Sequence, residues 1–231
     1  MKLQGLVAAM MSGITLFGQT PSKSANENNR DFESLPKLQW KFTTKAPVFS
    51  TPVIADGIVY VGSLDSTLYA VEMSSGKLKW KFNTRGEIRS TVCLSGERLF
   101  LYSGDGTLYS IDRSSGKGLW TFKTKGGILG DRRYDFADYY QSSPVISNNK
   151  IFFGAGDGRV YALDVTVGAL VWSFKTHGIV HATPALYKDR LFVGSFDGNL
   201  YALRQATGDL LWKFKQQVIA IFPKGRSRVP R

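Results

Sequence analysis

Five tryptophans stand at positions 40, 80, 120, 172 and 212, separated by 40, 40, 52 and 40 residues. Other residues keep the same register. Tyr69, Tyr109, Tyr161 and Tyr201 each precede the next tryptophan by 11 positions, and Asp65, Asp105, Asp157 and Asp197 precede those tyrosines by four. Gly76, Gly116, Gly168 and Gly208 lie four before a tryptophan, and Thr44, Thr84, Thr124 and Thr176 lie four after one. A period near 40 restricts the chain to architectures that set one small unit beside copies of itself. The long gap comes from twelve extra residues between Lys125 and Gln141.

Each unit reads as four short strands. In the last, Thr183-Pro184-Ala185-Leu186 begins a strand, with proline at a tolerated starting position, and Arg190–Gly194 is a second. Phe196-Asp197-Gly198-Asn199 reads as a tight hairpin turn, since Asp-Gly accepts positive φ. Leu200–Leu203 and Leu210–Phe214 supply the third and fourth strands around a turn at Ala206–Asp209. Ile58-Val59-Tyr60-Val61 and Leu68-Tyr69-Ala70-Val71 are apolar on both faces, which a sandwich strand with one wet face is not. Leu78-Lys79-Trp80-Lys81-Phe82 alternates, as an outer strand should. The expected class is all-β: a β-propeller of four-stranded antiparallel blades at about 46–85, 86–125, 138–177 and 178–215. Trp40 is left in an orphan outer strand. Trp40, Trp80, Trp120, Trp172 and Trp212 are read as interblade packing residues.

The ends carry other signals. Residues 1–20 hold a single charge, Lys2, ahead of an apolar run from Leu3 to Gly18, and read as a signal peptide. That run is too short to span a bilayer comfortably. Residues 21–35 read as a flexible polar linker and 216–231 as a basic irregular tail. Gln19 stands where a lipid anchor would need cysteine. The expected location is therefore the periplasm, the cell envelope or the medium, without a lipid anchor or a membrane span. Net charge is +12, but the lysines are scattered rather than gathered on one face, so nucleic acid is not an expected partner. One cysteine, Cys93, and two histidines exclude a disulfide scaffold and a multi-cysteine metal site.

The units S/T-P-x6-[IL]-[FY]-V-G-S-x-D-G-x-L-Y-A-L-D-x3-G-x3-W-x-F-x-T resemble the pyrroloquinoline-quinone (PQQ)-type propeller repeat. Thr51-Pro52 to Trp80, Thr91 to Trp120, Ser143-Pro144 to Trp172 and Thr183-Pro184 to Trp212 carry the likeness, over roughly residues 38–215. The resemblance implies a ring of seven or eight blades, of which four and one strand are present here. It covers quinoprotein dehydrogenases and the B subunit of the outer-membrane β-barrel assembly machine. The first likeness implies PQQ, Ca²⁺ and a vicinal Cys-Cys pair. Cys93 stands alone, so neither PQQ nor Ca²⁺ is expected. The preferred reading is a non-catalytic module that binds a protein partner, and the alternative is a fragment of a quinoprotein dehydrogenase. A bare apolar face on each end blade also admits self-association.

Two sets of residues are candidates for recognition. Phe49, Arg89, Gln141 and His181 stand three positions before each proline or its equivalent, at the start of the first strand, where a propeller lines its channel. Arg89 and His181 could there hold an anion. The twelve-residue insertion gathers Asp131, Arg132, Arg133, Tyr134, Asp135, Tyr139 and Tyr140, and arginine and tyrosine are frequent interface anchors. The Asp-Gly pairs lack the spaced carboxylates of a calcium loop and read as turns. No catalytic residue is assigned.

Overall fold

The computed structural model describes residues 37–125 and 141–215. Blade 1 consists of β1 (Val53–Ala55), β2 (Ile58–Gly62), β3 (Thr67–Glu72) and β4 (Leu78–Asn83). Blade 2 is β5 (Cys93–Ser95), β6 (Arg98–Tyr102), β7 (Thr107–Asp112) and β8 (Gly118–Lys123). Blade 3 is β9 (Val145–Ser147), β10 (Lys150–Gly154), β11 (Arg159–Asp164) and β12 (Leu170–Lys175). Blade 4 is β13 (Ala185–Tyr187), β14 (Arg190–Gly194), β15 (Asn199–Arg204) and β16 (Leu210–Lys215). Every sheet is antiparallel, with its strands in chain order. No helix occurs among the described residues, so none there is long and apolar enough to cross a membrane.

The turns follow their residues. Asp56-Gly57 and Asn148-Asn149 put two successive residues at positive φ, the pairing that tightens a two-residue hairpin. Gly106, Gly158 and Gly198 supply positive φ between the second and third strands, and Ser66 takes that conformation in blade 1 at φ 64°.

The core lies between the blades. Alternate residues of one strand point to opposite neighbours, as period two requires. Leu99, Leu101 and Ile111 pack with Tyr60, Leu68 and Ala70 of blade 1. Phe100, Tyr102 and Leu108 pack with Phe153, Tyr161 and Leu163 of blade 3. Phe152, Val160 and Trp172 meet Leu191, Val193 and Tyr201 of blade 4. This is why the second and third strands carry unbroken apolar runs.

Two expectations need correction. The fourth strands do not alternate simply. Each pairing of third with fourth strand carries a bulge, so Ala70 faces Trp80 while Val71 faces Leu78, with Lys79 left over. The same shift recurs in the other three blades. Leu78 is consequently 46% exposed instead of joining Trp80 and Phe82 inward. The segment around Trp40 forms no strand ladder. It leans on blade 1 through Trp40, Phe42 and Val48, against Val61, Tyr69 and Val71.

Candidate functional site

Three repeated fastenings build each blade junction. The first is the indole. Trp40, Trp80, Trp120 and Trp172 lie over Gly76, Gly116, Gly168 and Gly208 of the following blade, where a Cβ would come within 2.5–2.7 Å of the ring. The indole N–H groups of Trp40, Trp80 and Trp172 donate to the carbonyls of Met73, Arg113 and Gln205 at 2.7–3.0 Å. Trp120 differs. The Arg98 guanidinium donates to the carbonyls of Val165 and Thr166, and the buried Trp120 N–H has no acceptor among the described residues. The second fastening is an aromatic pair. Phe42, Phe82, Phe122 and Phe174 meet Tyr69, Tyr109, Tyr161 and Tyr201 edge to face, with centroids 5.3–5.5 Å apart.

The third fastening is polar. Asp65, Asp105, Asp157 and Asp197 each accept the hydroxyl of the tyrosine four residues on, at 2.5–2.7 Å. The same Oδ2 atoms accept the amides of Lys45, Arg85, Lys125 and His177 on the incoming linkers. Oδ1 accepts the amide two residues on, from Thr67, Thr107, Arg159 or Asn199. Burial alone would raise the Asp197 carboxyl, but Tyr201, His177 and Asn199 hold it down at about 2. Asp65 is likewise lowered, its burial outweighed by Tyr69, Lys45, Thr67 and Ser63. Burial and the aspartate partner push Tyr109 and Tyr201 up to about 12. An acid–phenol pair at one place would suggest proton transfer. Here four copies use the carboxylate oxygens on fixed partners, and their work is to lock linkers.

The start of the first strands carries a different, less regular set. Gln141 joins blades 2 and 3: its Oε1 accepts the Arg89 amide at 3.2 Å and its Nε2 donates to the Glu87 carbonyl at 3.1 Å. Arg89 is ion-paired with Glu87. One step along, the Thr91 amide donates to Ser143 Oγ at 2.9 Å and the Ser143 amide to Thr183 Oγ1 at 3.1 Å. Successive blades are thus linked side by side along this row. Phe49 is 51% exposed on blade 1, whereas Gln141 and His181 are buried. The His181 ring stacks on Phe196 at 5.0 Å between centroids.

The structure therefore brings Arg89 and Gln141 into direct contact across 52 residues of chain. Sequence reasoning missed Glu87, which balances the arginine, because acids do not recur at that position. It also missed the work of the hydroxyl before each proline, although its constancy in the repeat was a usable signal. Asp131, Arg132, Arg133, Tyr134, Asp135, Tyr139 and Tyr140 lie outside the described residues. Cys93 is a free, partly buried thiol on β5 whose ionisation burial disfavours. It cannot form the vicinal pair of a quinoprotein centre, and no three His, Cys, Asp or Glu side chains gather to hold a cation among the described residues.

Residues 35–94 and 84–226 match the family model described as outer membrane protein assembly factor BamB. No curated protein sequence matches the chain. Among solved structures, BamB from Moraxella catarrhalis is similar, with a TM-score of 0.65 and 21% identity over 75% of this chain. The quinohemoprotein alcohol dehydrogenase of Comamonas testosteroni gives 0.62 and 16% over 74% of this chain. The computationally designed Ika4 protein gives 0.59 and 16% over 70% of this chain and 93% of its own length. The chain spans 55% of the BamB structure and 35% of the dehydrogenase.

Proposed function

The chain belongs to the family of outer membrane protein assembly factor BamB, and from that premise we propose that it is an exported, non-catalytic module that binds a protein partner in the cell envelope. The supporting observation is where the repeat is interrupted. The chain leaves the blades at Lys125, whose amide is tied to Asp157, and re-enters at Gln141, which grips Arg89 and Glu87. The insertion with its arginines and tyrosines thus returns directly into the row that holds Arg89 and Gln141. Loops on a rigid scaffold are where binding residues concentrate. In this reading Phe49 is the exposed member of the fixed part of the contact surface, Arg89, Gln141 and His181 support it from beneath, and residues 127–138 are the variable part. The leader at 1–20 delivers the chain.

A photo-reactive residue placed at Phe49 or Tyr134 in cells tests this. Capture of one envelope polypeptide from both positions, but not from Lys79 on β4, is the expected result. Equal capture from all three positions overturns it. Deletion of 127–138 is expected to leave the melting curve intact and abolish capture. The likeness to the alcohol dehydrogenase, at 16% identity, concerns the fold.

A further inference from the structure

Among the described residues no blade packs against the outer face of blade 4, whereas the corresponding faces of blades 1, 2 and 3 each meet the next blade. Leu68, Leu108 and Val160 on the third strands are 0% exposed, but Leu200 at the same place is 41% exposed. Trp172 is 8% exposed, against 41% for Trp212 and 63% for Phe214. With about 200 Å² for each full side chain, Leu200, Trp212 and Phe214 leave roughly 300 Å² of apolar surface, the size of the largest patches on ordinary monomers, which are often functional.

The shape this face requires is present elsewhere in the molecule. Trp212-Lys213-Phe214 has the same residues in the same order as Trp40-Lys41-Phe42. The latter seats its indole over Gly76, its N–H on the Met73 carbonyl and its phenyl ring on Tyr69. It does so without belonging to a strand ladder among the described residues. The surface of blade 1 that receives Trp40 and Phe42 therefore fits the pair of rings that β16 presents.

We propose that two copies of this chain associate head to tail. β16 of each copy occupies the Gly76–Tyr69 surface of the other, and residues 38–42 peel away. Each exchange replaces one unpaired segment by the face of a complete sheet, and a reciprocal pair covers both open ends. The proposal does not depend on which envelope partner the protein binds.

Light scattering on the full chain across nanomolar to micromolar concentration tests it. A pair of twice 25.6 kDa is expected, dissociating on dilution. Phe214→Asp, or independently Leu200→Lys, is expected to weaken the pair at least thirtyfold with an unchanged circular dichroism spectrum. The double variant Trp40→Ala/Phe42→Ala removes the competing segment and is expected to tighten the pair about tenfold. A monomer at every concentration, a ladder of larger species, or a pair indifferent to both β16 variants overturns the proposal. A monomer that shields Trp212 from a quencher assigns the face to this same chain, and also overturns it.

Discussion

Leu68 in blade 1 and Leu200 in blade 4 occupy one position of the repeat and are the same residue, yet one is fully buried and the other 41% exposed. The strands around them pair alike, residue for residue. What differs is the neighbour: blade 2 packs against the Leu68 face of blade 1, while the Leu200 face of blade 4 meets no further blade among the described residues. Burial in this molecule is thus a property of junctions, and a repeat position acquires its energetic weight only when another blade stands beside it. The opposite face of blade 1 shows how little is needed to begin such a junction, since Trp40, Phe42 and one amide from Lys45 reproduce all three fastenings with no blade behind them among the described residues.

The largest test of the contrast compares Trp172→Ala with Trp212→Ala, by urea unfolding at concentrations too low for association. Loss of the buried indole at Trp172 is expected to cost about 3–5 kcal/mol, and loss of the exposed one at Trp212 under about 1 kcal/mol. Equal costs would break the comparison. A second pair separates packing from backbone strain. Gly168→Ala drives a Cβ to 2.5 Å from Trp120 at φ 72°, whereas Gly198→Ala has φ 80° and nothing within 4 Å. The first is expected to lower stability by about 3 kcal/mol or more, the second by only about 1–2 kcal/mol of backbone cost. Melting temperatures in that order check it.

Acid sharpens the comparison further. The carboxyls of Asp65 and Asp197 have folded pKa values below their ordinary value of 3.8, at about 2 for Asp197. Their contribution is present above pH 4 and is lost as pH falls from there through about 2. The melting temperature is expected to decline across that window, and Asp197→Asn to flatten the decline while lowering stability at neutral pH. At the alkaline end Tyr109 and Tyr201, raised to about 12, contribute fully below pH 10 and lose that contribution as pH rises through 12. The smallest effect belongs to Ser66, a non-glycine residue at φ 64° where blades 2 to 4 have glycine. Ser66→Gly is expected to stabilise blade 1 by about 0.5–1 kcal/mol, since relief of the left-handed backbone exceeds the added freedom of the unfolded chain.

The blades were legible because two apolar runs per unit can be satisfied only by a neighbour on each side, and Gly76 and Trp80 mark the turn and the outer strand by their spacing. The bulge at Lys79 was not legible: a skipped residue leaves no trace in an apolar–polar pattern, and it turned Leu78 outward against expectation. The aspartates were visible as landmarks, but their bonds to Tyr69 and Lys45 depend on a linker 20 residues upstream folding back. At the candidate site, register alone placed Arg89 and Gln141 at equivalent positions. Their mutual bond runs directly from the Arg89 amide to Gln141 Oε1, and only the carboxylate that pairs with Arg89 comes from a residue, Glu87, that the repeat does not share. The insertion residues from Asp131 to Tyr140 fall outside what the structure describes.

The Lys125 amide is clasped by Asp157 before the chain departs, and Gln141 is held on its return. With both banks secured, a change in the length or content of the span between them is expected to leave both blades packed. That crossing is a natural graft point: a foreign epitope or an affinity tag spliced between residues 127 and 138 should be displayed on an undisturbed scaffold.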